Sequence, residues 1–91
     1  MANVRIPPTL RTETGGSAEV QVEGRTVREL LDDLASRFPS LGQQILRDGD
    51  VAPFVNVYLD GEDVRTRGGL DSQVDERSSV ILLPAVAGGL S

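Results

Sequence analysis

The feature that most constrains the fold is a short apolar segment near the C-terminus, Ser79 to Leu83. Its consecutive Val, Ile and Leu residues would place apolar side chains on both faces of a strand, which is typical of a strand in the middle of a sheet. Proline has no N–H to donate to a ladder, so the strand is expected to end at Pro84. A chain of 91 residues with 38% hydrophobic side chains can form one core but not two. We therefore predict a single domain built around this strand.

Other segments supply the remaining strands of the sheet. Asn3 to Ile6 and Ala18 to Glu23 alternate polar and apolar residues, which predicts an antiparallel pair with one buried face. Phe54 to Leu59 is rich in β-branched and aromatic residues, and Asp60-Gly61 supplies the positive φ of a tight hairpin. A short return strand is expected over Asp63 to Arg65.

One amphipathic helix is predicted between these two pairs of strands. Thr26 and Glu29 have the spacing of a capping box, so the helix is expected to begin at Thr26. An apolar stripe follows at helical spacing: Val27, Leu30, Leu31, Leu34 and Phe38. Pro39 is expected to end the helix. Apolar residues between 41 and 46 predict a short second helical turn before the Asp48-Gly49-Asp50 turn.

The predicted order of elements is β-β-α-β-β-β, which gives an α+β domain with one main helix on a mixed sheet of four to five strands. The last strand is expected in the middle of the sheet, beside the first. Residues 1–84 are predicted to form this domain. Residues 85–91 are predicted to be a flexible tail, because they have small side chains, two adjacent glycines and no helix or strand pattern.

The composition excludes several classes of function. The chain has no Cys and no His, which excludes a disulfide framework, a Cys/His zinc site, a thiolate nucleophile and an imidazole base. A formal net charge of −5 argues against nonspecific nucleic-acid binding and favours a positively charged protein partner. No apolar run approaches the roughly 20 residues of a membrane helix. We therefore expect no membrane contact and a cytoplasmic location.

Two acidic pairs are candidates for acid–base or metal chemistry. Asp32-Asp33 lies on the polar face of the predicted helix, and Asp48 and Asp50 lie in a turn. Solvated carboxylates explain both pairs better than a catalytic pair or a metal site, because no surrounding residues that would position them are evident. We predict no metal site.

The order of elements and the Gly88-Gly89 ending resemble those of the ubiquitin-like β-grasp proteins and, more narrowly, of the ThiS/MoaD sulfur-carrier family. The ending Leu83-Pro84-Ala85-Val86-Ala87-Gly88-Gly89 is similar to the strand-Pro-x-x-x-Gly-Gly ending of that family. Residues 54–65, and residues 6–11 with Thr14-Gly15-Gly16, resemble the CysO-like subgroup. The resemblance covers nearly the whole chain.

The resemblance implies a carrier protein that is not itself an enzyme and binds no cofactor. In the family, an adenylating enzyme of the MoeB/ThiF-like type uses ATP to activate the terminal glycine, and a sulfur donor then displaces AMP to leave a thiocarboxylate. Gly89, preceded by Gly88, matches that modification site. The sulfur would pass to an acceptor such as a cysteine-synthase-like or thiazole-synthase-like enzyme. The implied role is in the biosynthesis of cysteine or another sulfur-containing metabolite.

Leu90 and Ser91 depart from the mature form of the family, which ends at the second glycine. Related carriers with such extensions are trimmed by a JAMM-type metalloprotease, and the resemblance implies the same trimming here. A harmless extension is the alternative. The residues also favour chemistry at the C-terminus directly. Without Cys or His, no side chain can hold sulfur, whereas a Gly-Gly segment can thread a narrow enzyme channel.

A partner-binding surface is predicted from strand parity. If Val55, Val57 and Leu59 face the helix, their neighbours on the strand face away from it. The residues expected on that outer face form an apolar patch: Phe54, Tyr58, Ile81 and Leu83, with Leu10 as an additional member. The tail residues Ala85, Val86 and Ala87 extend this predicted surface. The alternative is that residues 40–53 fold over the face and cover it.

Two other functions stay open. The protein could be a ubiquitin-like modifier that forms isopeptide bonds through Gly89, or a noncatalytic β-grasp binding module. All nine basic residues are Arg, so the chain cannot form polymers through its own lysines, which favours a carrier over a polymerising modifier. Arg65 and Arg67 could hold an anion, although a solvated hairpin edge is the simpler interpretation.

Overall fold

The predicted C-terminal strand is the centre of the fold. The structure is a computed structural model that describes residues 2–53, 55–66 and 68–84. Its strands and α-helices are, in chain order, β1 (Ala2–Arg5), β2 (Glu19–Val22), α1 (Val27–Arg37), α2 (Pro39–Ile45), β3 (Leu46–Arg47), β4 (Asp50–Val51), β5 (Val55–Leu59), β6 (Glu62–Asp63) and β7 (Ser79–Pro84). Short 3-10 helices connect them at Pro8–Thr14, Val64–Thr66 and Gly69–Asp71.

A mixed sheet joins five of these strands in the order β2-β1-β7-β5-β6. β7 runs parallel to β1 and antiparallel to β5, so the last strand lies beside the first in the middle of the sheet. β1 pairs with β2, and β5 with β6, in antiparallel fashion. This arrangement confirms the predicted α+β class and the mixed sheet.

The core lies between one face of this sheet and the two α-helices. Side chains from both layers belong to one buried cluster, including Val4, Val57, Val80 and Leu82 of the sheet and Leu30, Leu34, Leu41 and Ile45 of the helices. Along β5, Val55, Val57 and Leu59 are buried, whereas Asn56 and Tyr58 are partly exposed. The parity predicted for this strand is therefore confirmed.

Helix α1 begins where the capping pattern predicts. Thr26 is the N-cap residue, and its hydroxyl accepts a hydrogen bond from the backbone N–H of Glu29 at 3.2 Å. The Glu29 carboxylate accepts from the backbone N–H of Arg25 at 2.8 Å, which lies one residue before the cap. The reciprocal half of the capping box is thus displaced by one residue.

Pro39 both ends α1 and begins α2. Helix α1 ends at Arg37, and Pro39 is in the first turn of α2, where its missing N–H removes no helical hydrogen bond. The predicted second helical turn is therefore a seven-residue helix. This helix packs so closely on α1 that a Cβ atom on Gly42 would collide with Cβ of Ala35.

A return strand follows the hairpin as predicted, but it covers Glu62–Asp63, so the predicted bounds of residues 63–65 are wrong. Strand β6 ends at Asp63, and the chain continues into the 3-10 helix Val64–Thr66. A local hydrogen bond competes with the ladder, because the Asp63 carboxylate accepts from the backbone N–H of Arg65 at 2.9 Å. The turn also buries Val64 in the core.

Two tight turns have the backbone conformation that their sequences predict. Asp60 and Gly61, with φ of 51° and 88°, connect β5 to β6. Asp48 and Gly49, with φ of 54° and 79°, connect β3 to β4. The sequence pattern predicts the second turn but not the two-residue strands beside it. The 3-10 helix Pro8–Thr14 is likewise not evident from the pattern.

Candidate functional site

The sheet face opposite the helices carries three of the residues predicted to bind a partner. Tyr58 and Ile81 lie directly opposite each other on β5 and β7, and both are partly exposed. Leu83 lies on the same face, two residues further along β7, and is 42% exposed. Tyr58, Ile81 and Leu83 are called the outer patch below. Contiguous exposed apolar side chains are typical of interaction sites.

Residues 40–53 do not cover the outer patch. Leu41, Ile45 and Ala52 from this segment are buried in the core on the helix side of the sheet. The alternative of a loop folded over the outer face is therefore wrong. Leu10 also packs against the core, because its 3-10 helix contacts α2, so its predicted place in the patch is wrong as well.

Other predicted site residues lie outside the described part of the chain. These are Phe54 of the patch, the tail residues Ala85, Val86 and Ala87, the glycines Gly88 and Gly89, and the extension Leu90 and Ser91. Their roles, and the division of the chain after residue 84, stay predictions.

Charged side chains border the outer patch on two sides. Arg5 lies beside Ile81 in the parallel pair of β1 and β7, and its guanidinium is 3.8 Å from the carboxylate of Glu19. On the other side, Asp63 of β6 lies opposite Tyr58. One row across the sheet therefore has an apolar centre between charged ends, which is the arrangement of many protein interfaces.

The last residue of β7, Pro84, lies opposite Val55, the first residue of β5. The backbone N–H of Asp60 donates to the Ser79 carbonyl at 2.8 Å, so these two residues form a hydrogen-bonded pair. Along an antiparallel ladder, hydrogen-bonded pairs alternate with pairs that exchange no hydrogen bonds. By this alternation, Pro84 falls in a pair that exchanges no hydrogen bonds with Val55. The missing N–H of the proline therefore leaves no gap in the β5–β7 ladder.

The side chain of Arg65 occupies the place that a longer β6 would fill. By the same alternation, the Val55 carbonyl points away from β7, towards the edge where β6 has already ended. Nη2 of Arg65 donates to this carbonyl at 3.1 Å, and Nη1 donates to Oδ1 of Asn56 at 3.1 Å. Asn56 lies opposite Leu83 on the outer face. The guanidinium therefore lies beside the outer patch, close to the end of β7.

The acidic pairs noted in the sequence include two carboxylates with structural hydrogen bonds. Asp33 accepts from the backbone N–H of Glu23 at 2.9 Å and from Nε of Arg37 at 3.1 Å, which ties α1 to the end of β2. Asp50 accepts from the backbone N–H of Val51 at 2.7 Å. Across the described ranges, no group of three or more acidic side chains is arranged to hold a metal ion. No helix within those ranges is long and apolar enough to cross a membrane.

Comparison with known families gives one match that covers most of the chain. The model of the ThiS family matches residues 4–89. The chain belongs to the ThiS family. The matched region of this ThiS-family protein includes nearly all of the sheet, both α-helices and Gly89, and it leaves Leu90 and Ser91 outside.

Individual proteins and structures agree with this membership. The chain is 38% identical over 89 residues to the sulfur carrier protein CysO of Mycobacterium tuberculosis, which covers 94% of this chain and 96% of that protein. It matches a chain in the crystal structure of the Amycolatopsis orientalis BexX/CysO complex with a TM-score of 0.89 and 42% identity, over 98% of this chain and 100% of that one. It is also 34% identical over 64 residues, 70% of each chain, to small archaeal modifier protein 3 of Haloferax volcanii.

These comparisons confirm the resemblance found in the sequence and the ubiquitin-like β-grasp fold. As a member of the ThiS family and a relative of CysO, the protein is a sulfur carrier rather than an enzyme.

Proposed function

We propose that the active form of this carrier ends at Gly89 and that the Gly89 carboxylate becomes the thiocarboxylate. The observation that carries this proposal is that the family match ends at Gly89, two residues before the end of this chain. Residues 85–89 follow the central strand, and five residues in extended conformation span at most about 17 Å. A partner enzyme can therefore hold the sheet on one surface and reach the carboxylate in a separate active site.

The transfer needs an activated carboxyl group, because a free carboxylate has no good leaving group for sulfur to displace. In the first step, an oxygen of the Gly89 carboxylate attacks the α-phosphorus of ATP, and pyrophosphate leaves. In the second step, hydrosulfide attacks the acyl carbon, the bond from that carbon to the adenylate oxygen breaks, and AMP leaves together with one proton. ATP and the catalytic groups belong to a MoeB/ThiF-like adenylating enzyme. The carrier supplies the carboxylate and the docking surface.

The outer patch is the proposed docking surface for that enzyme. Tyr58, Ile81 and Leu83 lie on the two central strands that meet at the root of the C-terminal segment. Phe54 and residues 85–87 adjoin these strands in the sequence and complete the proposed surface. This chain resembles one chain of the BexX/CysO complex, and that protein binds a second protein. The resemblance supports a docking surface on this chain as well.

Maturation and sulfur delivery complete the proposal. Leu90 would bring a branched side chain into a channel shaped for glycine, so a JAMM-type metalloprotease removes Leu90 and Ser91 before activation. The sulfur then passes to a cysteine-synthase-like or thiazole-synthase-like enzyme, which makes cysteine or another sulfur-containing metabolite. The cytoplasm, where ATP is abundant, is the proposed location.

Pyrophosphate release tests the activation step. The purified adenylating enzyme from the same genome is supplied with ATP and one of three chains, ending at Gly88, Gly89 or Ser91. We expect ATP-dependent pyrophosphate release with the chain that ends at Gly89 and little with the other two. Equal release with the chain ending at Ser91 would show that trimming is unnecessary. No release with any chain would contradict activation at the C-terminus.

A second candidate function is favoured by the identity with small archaeal modifier protein 3. A modifier would use the same activated Gly89 to form isopeptide bonds with lysines of other proteins. Immunoblots and intact-mass analysis of lysates separate the two functions. Covalent adducts of higher mass indicate modification, whereas a sulfur-bearing monomer without adducts indicates sulfur transfer alone.

A further inference from the structure

Arg65 is held in one place by two uncharged oxygen atoms. Nη1 bonds the side-chain oxygen of Asn56 and Nη2 bonds the carbonyl of Val55, both at 3.1 Å. The backbone N–H of Arg65 is also fixed, by the Asp63 carboxylate at 2.9 Å. The guanidinium is therefore oriented before any partner arrives, although the residue as a whole is exposed. Such preorganisation reduces the conformational entropy that an arginine loses on binding.

The positive charge of Arg65 has no close counter-charge in the described part of the chain. Arg5, Arg28 and Arg37 each have a carboxylate within 3.8 Å. No carboxylate of the described residues lies within 4.0 Å of the Arg65 guanidinium, and Asp63 bonds its backbone instead. A guanidinium has five N–H donors, and the two bonds above use only part of that capacity. Its remaining donors are therefore available to a carboxylate from another molecule.

The position of Arg65 relates this charge to the docking surface. Asn56, its hydrogen-bond partner, lies opposite Leu83 of the outer patch, and Val55 lies opposite Pro84. The guanidinium thus lies between the outer patch and Pro84, the last described residue of β7. An arginine beside an apolar centre is a common determinant of affinity in protein interfaces.

We propose that Arg65 forms an ion pair with a carboxylate of the adenylating enzyme and that this pair fixes the orientation of the docked carrier. The inference rests on the proposed function, because it assumes activation by that enzyme. The net charge of −5 favours an enzyme surface that is basic overall. On such a surface, a single acidic side chain placed opposite Arg65 would pair with it and so fix the orientation of the carrier. The proposed partner of Arg65 is therefore a side chain of the enzyme and not the ATP.

Three variants test the pairing through steady-state pyrophosphate release, with the carrier ending at Gly89, the adenylating enzyme from the same genome, and ATP and sulfide in excess so that the adenylate turns over. Arg65→Gln removes the charge and keeps one amide donor, and Arg65→Lys keeps the charge. Arg77→Gln is the matched control, because Arg77 is an exposed arginine just before the opposite end of β7. Thermal unfolding shows whether each variant is folded before its kinetics are compared.

We expect Arg65→Gln to raise the KM for the carrier roughly tenfold, as for loss of an interface residue of moderate importance. The kcat and the KM for ATP should stay unchanged. The KM of Arg65→Gln should also depend less on salt concentration than that of the unchanged carrier, since an ion pair has been lost. Arg65→Lys should keep most of that salt dependence, and Arg77→Gln should behave like the unchanged carrier.

Three results would overturn the pairing. An unchanged KM for Arg65→Gln would show that Arg65 makes no contact with the enzyme. Equal loss in Arg65→Lys and Arg65→Gln, with the salt dependence unaltered, would show that Arg65 only closes the edge of β5. A raised KM for ATP in Arg65→Gln would show that Arg65 contacts a phosphate rather than a carboxylate of the enzyme. If the unchanged carrier is not activated at all, the proposed function fails, and that result is distinct from normal activation of Arg65→Gln.

Discussion

Tyr58 lies directly opposite Ile81 in the antiparallel pair of β5 and β7, and both side chains belong to the sheet face that the helices leave open. The two residues therefore form a single apolar contact surface rather than two separate exposed groups. Leu83 extends this surface towards the end of β7. Substitutions of Tyr58 and Ile81 at the centre of the outer patch therefore test the docking proposal directly.

A charge at the centre of the outer patch should prevent activation without unfolding the protein. In Tyr58→Asp or Ile81→Asp, a carboxylate would be buried without a partner when the adenylating enzyme docks. That change should raise the KM for the carrier on the order of a hundredfold. Steady-state pyrophosphate release with ATP and sulfide in excess measures the effect, and circular dichroism shows whether the fold is kept.

Gln21→Asp is the matched control for these two variants. Gln21 is exposed on β2 at the edge of the sheet, away from the outer patch, so the same charge should have little effect there. If Tyr58→Asp and Ile81→Asp are both activated as fast as the unchanged carrier, the enzyme docks elsewhere.

Truncation of Leu31 should destabilise the domain. Leu31 is 1% exposed and belongs to the core stripe of α1. Leu31→Ala should lower the free energy of unfolding by about 2 to 5 kcal/mol through lost burial and a cavity. That loss is a large part of the stability of a small domain. Urea unfolding measures this loss of free energy. As the control, Asp32→Ala on the exposed side of the helix should have nearly the same free energy of unfolding as the unchanged chain.

The close approach of α1 and α2 should make Gly42 intolerant of a methyl group. Gly42→Ala would place its Cβ against Cβ of Ala35, so the helices must move apart, at a cost of about 1 to 3 kcal/mol. Ala35→Gly restores the space, and Gly42→Ala should be much less destabilising in that background. A double-mutant cycle from urea unfolding measures this coupling. Additive losses would show that the two residues do not limit the packing.

Loss of the Thr26 hydroxyl should weaken α1 at its first turn. Thr26→Ala removes the acceptor for the backbone N–H of Glu29 and should cost about 1 kcal/mol. Thr26→Ser keeps a hydroxyl in the same place and should retain most of the stability. Equal midpoints of thermal unfolding for the Ala variant and the unchanged chain would contradict the capping role.

The fold could be predicted because its main patterns are local. Burial alternates from Val55 to Leu59 with the period of a strand, and the Thr26-x-x-Glu29 spacing places the start of α1 within one residue. The end of β6 could not be predicted in the same way. There the Asp63 side chain competes with the ladder for the backbone N–H of Arg65, and the core draws in Val64.

The candidate site was predictable only in part. The alternation of side chains along a strand assigns Tyr58, Ile81 and Leu83 to the outer face. This assignment needs only the sequence and the assumption that Val55, Val57 and Leu59 face the core. The sequence names Arg65 as a possible anion-binding residue but does not place it beside the outer patch, since its acceptors lie nine and ten residues away on a strand whose open edge is a tertiary feature. Leu10 was misplaced for the same reason, because no sequence pattern shows that its 3-10 helix packs on α2.

The central claim is that the carrier holds its sulfur at Gly89. Intact-mass spectrometry tests it on chains ending at Gly89 and at Ser91, each incubated with the adenylating enzyme, ATP and sulfide, with reactions lacking ATP as controls. We predict that only the Gly89-terminated chain, and only with ATP, acquires a mass corresponding to replacement of one oxygen by sulfur, and that fragmentation places this change at Gly89. A Gly89-terminated chain that is adenylated by the enzyme but never acquires sulfur would contradict the account.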